Sequence, residues 1–502
     1  MIIKPRTLLL RADASPAMGT GHVMRCLALA EAWQAAGGQA VLLSRDLPPA
    51  LAARAQAQNA TVIPLPPETS AGEDTRFTAQ TAAQHDARWV VVDGYQFPLP
   101  LCAMLQAAGL QVLWVDDFGV PAEFAPDLLL NQNLGAAPAW YPHVPPRTEL
   151  LLGPRYALLR REFARWRHSP RTFPAQAQKL LVTLGGSDPA NATAKVIEAL
   201  HLLGGAAPQA LVLAGAANPH AAALARALAG TPHQCLPHVP DMPARMAEAD
   251  LAIAAGGTTV WELAFMGLPA LLLCLADNQR RNCHELAAAG AAVNLGWHET
   301  ATPDQIAAAL TALAADATRR AAMSAAGRAL VDGRGAERVC LHLRENEVRL
   351  RPATSNDARL VYEWFNEPSV RAVSFSPEPV SWEHHLAWFK ARLADPRHVL
   401  WIAEATPGRP VGQARFALDG HTATISISLS AETRGQGWGT LLIWAACRKL
   451  CREHPEIRRV EAWIKPDNQP SLRAFAKADF LPWAEKDVRG QPALVYEWKR
   501  PL

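Results

Sequence analysis

The stretch AAGGTTVWELAFMGLPALLLCLADNQRRNCHEL, residues 254–286, contains a complete strand–turn–helix–strand unit. An apolar strand ends in two glycines, two threonines begin a helix, and Glu262 lies one turn inside that helix. A second apolar strand follows and ends in the polar sequence ADNQ (276–279). Strands that alternate with helices predict a parallel sheet with crossover helices, which binds ligands beyond the carboxyl ends of its strands.

The same alternation continues on both sides of this unit. Strand-like runs that belong to the same predicted domain are KLLVTLGGSD (179–188) and QALVLAGAANP (209–219). A separate series lies nearer the N-terminus: RTLLLRAD (6–13), QAVLLSR (39–45), RWVVVDGY (88–95), LQVLWVDDFG (110–119) and DLLLNQN (127–133). The chain therefore predicts two Rossmann-like parallel α/β domains. Polar side chains fall at their strand ends: His22, Asp93, Asp116, Asp117 and Asn131.

A third segment starts near Glu347 and differs in composition. Tryptophans become dense, and the strands HVLWIAEA (398–405), GQARFAL (412–418) and ATISISL (423–429) are typical of an antiparallel sheet. The polar, proline-containing stretch 165–178 is interpreted as a linker. We predict domains at 1–164, 179–345 and 347–502, the last an α+β domain with a mixed, largely antiparallel sheet.

Composition excludes several classes of protein. A length of 502 residues requires more than one core, and a net charge of +3 without a basic run excludes a nucleic-acid partner. The eight scattered cysteines include no CxxC pair, so we expect reduced thiols in a cytoplasmic protein and predict no metal site. Arg11 interrupts the apolar N-terminal run, and no stretch of about 20 apolar residues predicts a membrane span.

Two further glycine turns open predicted helices. GTGH (19–22), with Gly19 and Gly21, and GGSD (185–188), with Gly186 and Ser187, each follow a strand. Backbone N–H groups at the positive end of a helix dipole are suited to hold phosphate.

Residues 254–286 resemble the nucleotide-sugar-binding half of GT-B-fold glycosyltransferases, especially the MurG-like group. The resemblance implies that the backbone of Gly257, Thr258 and Thr259 holds a pyrophosphate. It also implies that Glu262 binds the ribose hydroxyls. Asn278 and Gln279 would face the sugar.

A longer set of motifs resembles a hydrolase family. RADAS…GTGHVMRCLALA, VVDGY, DD, LLLNQN, LGGSDPAN and VDGRGAERV (331–339) occur in that order. Over about residues 5–345 they resemble UDP-2,4-diacetamido-2,4,6-trideoxy-β-L-altropyranose hydrolases of pseudaminic acid biosynthesis. The resemblance implies a UDP-activated amino sugar as substrate, water as acceptor, release of UDP and inversion at the anomeric carbon.

His22 is the candidate catalytic residue of this region. A helix N-terminus disfavours the imidazolium, and a neutral imidazole can serve as a general base for the attacking water. Asp13 or a nearby carboxylate could orient His22 or be the base itself, and His22 could instead be a structural cap. Tyr95 is either a sugar contact or a packing residue at a strand end.

The third domain carries two motifs, RGQGWG (434–439) and NQPSLRAFAKADF (468–480). Successive N–H groups at such a turn suit a pyrophosphate. Together the motifs resemble the GCN5-related N-acetyltransferase (GNAT) fold over about 347–500, with acetyl-CoA as co-substrate. The implied acetyl-CoA contacts are Arg434, Gly435, Gln436, Gly437, Trp438, Gly439, Asn468 and Ser471.

One position departs from the GNAT pattern. Many members carry a tyrosine seven residues after the motif asparagine, and this chain has Phe475 there. Tyr496 and Tyr362 are candidates for the general acid, although both could be core aromatics. Glu432 could be a base acting through water or a solvated loop carboxylate.

The pairing of domains predicts two consecutive steps in one chain. The GNAT domain would acetylate the 4-amine of a UDP-4-amino-4,6-dideoxy sugar, and the GT-B domain would then hydrolyse the UDP-sugar. Two alternatives remain: a UDP-sugar-dependent glycosyltransferase fused to an unrelated acetyltransferase, and a nucleotide-sugar-binding scaffold in which only the GNAT domain is active.

Overall fold

The structure, a computed structural model, describes residues 6–15, 18–120, 122–215, 218–405 and 408–499. The chain divides into two compact units, residues 1–339 and 340–502. Within the described ranges, no helix is both long and apolar enough to cross a membrane. All eight cysteines are free thiols.

The first unit begins with a seven-stranded, wholly parallel sheet in the order β3-β2-β1-β4-β5-β6-β7. The strands are β1 Thr7–Ala12, β2 Gln39–Ser44, β3 Thr61–Pro64, β4 Ala87–Asp93, β5 Gln111–Val115, β6 Leu128–Asn131 and β7 Glu149–Leu152. The helices are α1 Gly21–Ala35, α2 Pro49–Ala57, α3 Ala71–Gln84 and α4 Pro100–Ala107. Leu8, Leu9 and Leu10 are all fully buried, as expected for a parallel strand covered on both faces.

A second parallel sheet follows in the order β10-β9-β8-β11-β12-β13. Its strands are β8 Lys179–Thr183, β9 Gln209–Leu213, β10 Gln234–Leu236, β11 Leu251–Ala255, β12 Ala270–Cys274 and β13 Ala292–Trp297. The helices are α5 Ala192–Leu203, α6 Ala221–Ala227, α7 Met242–Glu248, α8 Thr259–Met266, α9 Asp277–Ala288, α10 Pro303–Ala314, α11 Ala317–Leu330 and α12 Gly335–Leu343. Both sheets share the 3-2-1-4-5-6 order of a doubly wound fold, which confirms the two predicted parallel domains.

The predicted linker is anchored to the second of these domains. A 3₁₀ helix spans Arg161–Trp166, and irregular chain continues to Lys179, where β8 begins. Arg171 donates to the backbone carbonyls of Met246 and Ala249, at 2.6 and 2.5 Å. These bonds hold residues 165–178 against the end of α7.

The second unit contains a seven-stranded sheet in the order β14-β15-β16-β17-β18-β20-β19. The strands are β14 Val348–Pro352, β15 His398–Ala405, β16 Arg409–Asp419, β17 Thr422–Leu429, β18 Arg459–Ile464, β19 Leu481–Val488 and β20 Gln491–Lys499. The helices are α13 Ala358–Asn366, α14 Pro368–Ala372, α15 Trp382–Ala394, α16 Trp438–Glu453 and α17 Gln469–Lys477. Only the β17–β18 pair is parallel, so the sheet is mixed and largely antiparallel, as predicted.

The two faces of this sheet are covered by different helices. Ala414 and Phe416 of β16 belong to the core that also contains much of α16. Leu400 and Ile402 of β15 belong to a smaller core with residues of α13 and α15. Successive side chains of a strand point to opposite faces, so Arg415, between Ala414 and Phe416, points away from the α16 core.

Candidate functional site

The three glycine turns of the first unit meet at the starts of α1, α5 and α8. A Cβ placed on Gly21 would lie 3.5 Å from Oγ1 of Thr258, and one on Gly186 would lie 3.4 Å from the side chain of Thr20. The structure thus brings together the three turns that contain Gly19, Gly21, Gly186, Ser187, Gly257, Thr258 and Thr259. Backbone N–H groups at such helix starts are suited to bind an anion.

The turn at 185–188 is built for close backbone packing. Gly185 has φ +100°, and a Cβ on Gly215 would lie only 2.4 Å from the carbonyl oxygen of Gly186. Asp188 accepts hydrogen bonds from the backbone N–H groups of Ala192 and Thr193, both at 2.9 Å. Asp188 therefore caps α5, which leaves the preceding N–H groups of the turn for a ligand.

His22 lies in the first turn of α1 and is 6% exposed. Its Nδ1 is 2.7 Å from Oδ1 of Asp93, which ends β4. Because an ionised carboxylate only accepts, Nδ1 donates in this bond, so the neutral form of His22 has its lone pair on Nε2. Within the described ranges, Nε2 makes no hydrogen bond. This is the tautomer that a general base requires.

Asp93 is fully buried and paired with Arg25, one helical turn after His22. Arg25 donates to both Asp93 oxygens, at 2.6 and 2.7 Å, and to Asp117 at 2.9 Å. Burial alone would raise the pKa of Asp93, but Arg25 and His22 outweigh it and lower the pKa to about 2. Asp93 is therefore ionised at neutral pH and can orient His22.

Asp13 does not orient His22. Its carboxylate accepts from Arg11 at 2.5 and 3.1 Å, from the backbone N–H of Arg45 at 2.7 Å and from Gln96 at 2.9 Å. Burial opposes ionisation, but Arg11 and the other donors still lower the pKa of Asp13. The orienting carboxylate is Asp93, because Asp13 is saturated by this buried network.

Tyr95 connects the two parallel domains. Its hydroxyl donates to Asp117 and accepts from Nδ2 of Asn278, both at 2.6 Å. Its ring meets His22 edge-on with 4.6 Å between centroids, and half of its surface is exposed. Tyr95 thus borders both the candidate base and the predicted sugar-facing asparagine.

One face of α9 extends this contact. Asn278 and Asn282, four residues apart, bond to Tyr95 and to Asn133, the latter at 3.0 Å. Arg281 stacks over the Trp140 ring at 3.8 Å. This polar helix face fixes how the carboxyl edges of the two parallel sheets meet.

Glu262 and Gln279 occupy the second domain's half of the site. Oε1 of Glu262 accepts from Nε and Nη2 of Arg160, at 3.2 and 2.9 Å, and its other oxygen makes no hydrogen bond within the described residues. Oε1 of Gln279 accepts from the N–H of Leu275 at 3.0 Å. Gln279 is thereby oriented with its NH₂ group beside Gly257.

Sequence reasoning missed Asp93, Arg25 and Arg160 as parts of this site. Arg25 follows His22 at the i+3 spacing of one helix face, and Asp93 was recognised only as a strand-end carboxylate. Among the described residues, no group of three or more His, Cys, Asp or Glu side chains is arranged to hold a metal ion.

The second unit places RGQGWG at the start of α16. Gly435 and Gly437 have φ +73° and +83°, a region that favours glycine, and Gly437 is the N-cap. The Arg434 guanidinium pairs with Glu367 and donates to the carbonyl of Leu429 at 2.9 Å. Its backbone and the following N–H groups, rather than its charge, are thus available to a pyrophosphate.

The remaining motif residues support this turn. The Gln436 side chain donates to the carbonyl of Glu432 at 2.7 Å, Trp438 is buried, and a Cβ on Gly439 would lie 3.3 Å from Leu429. Asn468 caps α17 by accepting from the N–H of Ser471 at 3.2 Å.

Strands β17 and β18 separate close to these motifs. They pair only from Thr422–Arg459 to Thr424–Glu461, although β17 continues to Leu429. The carboxyl half of β17 therefore lacks a partner on its β18 side. An extended ligand segment can lie in such an opening and bond to the free strand edge.

Four side chains considered for acid–base chemistry have defined surroundings. Phe475 is buried against Phe480, 4.9 Å between ring centroids. Tyr362 packs edge-on against Trp382, and Tyr496 packs against the main core. Glu432 is exposed and paired with Arg409.

Two family domains match this chain. Residues 180–337 match the glycosyltransferase family 28 C-terminal domain, and residues 347–481 match the acetyltransferase (GNAT) domain. The chain therefore joins a glycosyltransferase-like nucleotide-sugar domain to an acetyltransferase domain.

Among curated relatives, the spore coat polysaccharide biosynthesis protein SpsG of Bacillus subtilis is 30% identical over 205 residues, 40% of this chain and 60% of that protein. A UDP-N-acetylglucosamine--N-acetylmuramyl-(pentapeptide) pyrophosphoryl-undecaprenol N-acetylglucosamine transferase of Acidiphilium cryptum is 39% identical over 165 residues, 32% of this chain and 44% of that protein. The chain thus spans less than two thirds of either relative.

Among solved structures, MurG of Acinetobacter baumannii aligns with a TM-score of 0.50 and 19% identity. The alignment covers 68% of this chain and all of that one. This likeness confirms the predicted GT-B architecture of the first unit.

Proposed function

We propose that this chain is a bifunctional enzyme of pseudaminic acid biosynthesis. The second unit acetylates the 4-amine of a UDP-4-amino-4,6-dideoxy sugar with acetyl-CoA. The first unit hydrolyses the resulting UDP-2,4-diacetamido-2,4,6-trideoxy-β-L-altropyranose to free sugar and UDP, with inversion at C1.

One observation carries the hydrolase proposal. Nδ1 of His22 is bonded to a buried, ionised Asp93, its Nε2 has no hydrogen bond among the described residues, and the residue before it, Gly21, lies beside Thr258. Such a pair is suited to deprotonate a water molecule, and general base catalysis typically contributes about 10²–10⁴-fold to a rate. A capping role alone does not require a charged orienting partner for the imidazole.

In the hydrolysis, His22 takes one proton from water while the water oxygen forms a bond to C1. The bond between C1 and the diphosphate oxygen breaks on the opposite face, and its electron pair leaves with UDP. Backbone N–H groups at 185–187 and 257–259 stabilise the charge that develops on the diphosphate. The free oxygen of Glu262, held by Arg160, accepts from the ribose hydroxyls, and Asn278 and Gln279 face the sugar.

In the acetyl transfer, the 4-amine of the sugar attacks the thioester carbonyl of acetyl-CoA. A C–N bond forms, the C–S bond breaks, and the electron pair leaves with the thiolate of CoA. The nitrogen loses one proton and the thiolate gains one. Residues 434–439 hold the pyrophosphate of acetyl-CoA, and Asn468 and Ser471 lie beside its pantetheine arm.

The test uses the full-length protein and anomeric proton NMR. The UDP-linked 4-amino sugar is supplied with and without acetyl-CoA, to the parent and to His22→Ala. We expect N4 acetylation followed by free sugar of inverted configuration, with the variant accumulating the acetylated UDP-sugar. If pre-acetylated substrate is hydrolysed but acetylation never occurs, the acceptor assigned to the second unit is wrong.

A glycosyltransferase is the second candidate, since residues 180–337 match a glycosyltransferase domain and the relatives include transferases. UDP release that requires an added sugar acceptor would establish it and reject the hydrolase. If the parent binds UDP-sugar without any turnover and His22→Ala binds it equally well, the first unit is a binding scaffold.

A further inference from the structure

Two arginines beside the sheet face opposite α16 have no paired carboxylate among the described residues. Arg371 of α14 lies 4.8 Å from the centroid of the Phe365 ring, and Arg415 of β16 lies 5.8 Å from the same centroid. Arg415 also lies 5.1 Å from the Trp388 ring. Two cations thus share one aromatic side chain, within a small part of the second unit.

Three polar atoms of this cluster lack hydrogen-bond partners among the described residues. Arg371 is 4% exposed, and its Nε and Nη1 make no hydrogen bond; only Nη2 donates, to the carbonyl of Ser376. Gln413, two residues before Arg415 on the same strand face, is 2% exposed, and its Oε1 is likewise unpartnered. Buried N–H donors without acceptors are costly, so the two donors of Arg371 are placed to bind a ligand or water, whereas Oε1 of Gln413 can only accept.

Carboxylates do not neutralise the two arginines within the described residues. The acidic group that acts on Arg371 is Glu378, which is exposed and forms no ion pair with it. Arg415 has a second cation, Arg392, nearby, and burial together with Arg392 lowers the pKa of Arg415 to about 10. An anion placed here would relieve the desolvation of both arginines and the repulsion between Arg415 and Arg392.

The cluster lies near the turn at 434–439, which is proposed to bind acetyl-CoA, but on the other face of the sheet. Glu367, at the N-cap position of α14, pairs with Arg434, and Arg371 follows one turn later on the same helix. Arg415 points away from the core of α16 and lies opposite Ser426 of β17. Acetyl-CoA bound at the start of α16 would therefore leave this face of the sheet accessible to the substrate that accepts the acetyl group.

We propose that Arg371 and Arg415 form an acceptor site that binds the diphosphate of the sugar nucleotide to be acetylated. The inference rests on the proposed acetyl transfer to a UDP-linked sugar and names the residues that recognise its phosphates. Guanidinium groups bind phosphate oxygens through paired N–H donors, and two of them match two adjacent phosphates.

The first test separates acceptor from donor binding by kinetics. Arg415→Gln is compared with the parent and with Arg397→Gln, which alters an exposed arginine paired with Asp395. We expect Arg415→Gln to raise KM for the UDP-linked amino sugar about 10- to 100-fold, because a hydrogen bond to a charged group is lost. KM for acetyl-CoA, and for the amino sugar without UDP, should change less than about twofold.

Acetyl-CoA, the acetyl donor, also carries phosphates, and a further comparison tests whether the arginines bind it instead. If Arg415→Gln instead raises KM for acetyl-CoA, and 3′-dephospho-acetyl-CoA behaves the same in parent and variant, the arginines bind the donor. That outcome would overturn the acceptor assignment.

A second measurement does not depend on turnover. Hydrogen–deuterium exchange of the full chain with UDP should show protection of 365–376 and 411–417, and Arg415→Gln should lose it. Protection of the turns at 185–188 and 256–259 should persist in that variant, as an internal control. If the second unit shows no protection by UDP, the proposed site is wrong even where acetylation is observed. Protection without acetylation would uphold the site and reject the proposed acceptor.

Discussion

The imidazole of His22 is fixed from one side, because Asp93 holds Nδ1 and Arg25 holds Asp93. Replacing His22 by alanine removes the proposed base without removing the buried Asp93–Arg25 pair. We expect kcat for UDP release to fall about 10²–10⁴-fold. His143→Ala, which alters an exposed histidine of the same unit, serves as the control. Release of UDP by His22→Ala at the parent rate would contradict the assignment.

Two carboxylates at neighbouring strand ends should contribute to the free energy of unfolding in ways that change with pH in opposite directions. The pKa of Asp93 is lowered to about 2, so Asp93 stabilises the fold above its unfolded-state pKa of ~3.9 and loses this contribution as the pH falls towards 2. The destabilisation caused by Asp93→Asn should therefore be largest near neutral pH and shrink below pH ~4.

Burial, only partly offset by the N–H of Gly119 and the hydroxyl of Tyr141, raises the pKa of Asp116. Its ionisation opposes folding, so Asp116→Asn should be better tolerated at neutral pH than at pH ~4. Urea unfolding of the parent and both variants across this pH range measures how the stability difference of each variant changes with pH. Equal slopes would contradict the opposite environments of Asp93 and Asp116.

At this scale the sequence identifies His22 as a candidate base but does not identify the carboxylate that holds it. A glycine turn between strand and helix singles out the one ionisable residue at the helix start. The partner had to be chosen among carboxylates such as Asp13, Asp93 and Asp117, all at strand ends. Only packing decides that Arg11 saturates Asp13 while Asp93 faces α1.

At the scale of elements, the turn that opens α16 depends on glycine. Gly437 has φ +83°, and an alanine there would cost about 1–2 kcal/mol and place a methyl group beside the proposed pyrophosphate site. We expect Gly437→Ala to raise KM for acetyl-CoA several-fold.

Gly420→Ala is the matched control, since Gly420 has φ +57° in the turn between β16 and β17 and a Cβ there meets nothing within 4 Å. Both variants should lose thermal stability, but only Gly437→Ala should alter KM. A change in KM with Gly420→Ala would show that strain alone, rather than the pyrophosphate turn, produces the effect.

Strand and helix order could be predicted because apolar runs bounded by glycine and polar residues identify buried parallel strands. The separation of β17 from β18 could not be predicted, because apolar and polar residues continue to alternate along ATISISL (423–429) beyond the point where the strands stop pairing. Similarly, the polar face of α9 contacts Tyr95 and Asn133, which lie 183 and 149 positions earlier in the chain than their partners. Such contacts follow from the meeting of two sheets and leave no local pattern.

At the scale of the whole molecule, each unit has its own cores and its own glycine turns proposed to bind ligands. Buried clusters of the first unit centre on its two parallel sheets, and those of the second unit on the mixed sheet. The two proposed reactions therefore require no shared side chain. Fusion in one chain raises the local concentration of the acetylated intermediate, which does not by itself require direct transfer.

This independence predicts complementation between two variants. His22→Ala should acetylate but not hydrolyse, whereas Gly437→Val should hydrolyse pre-acetylated substrate but not acetylate. Neither alone should form free sugar from the UDP-linked 4-amino sugar, and an equimolar mixture should restore it. Because the intermediate must then diffuse between molecules, the mixture should show a lag that shortens as protein concentration rises, measured by NMR of the free sugar. A mixture that stays inactive, while each variant retains its remaining step, would show that the intermediate passes only within one chain.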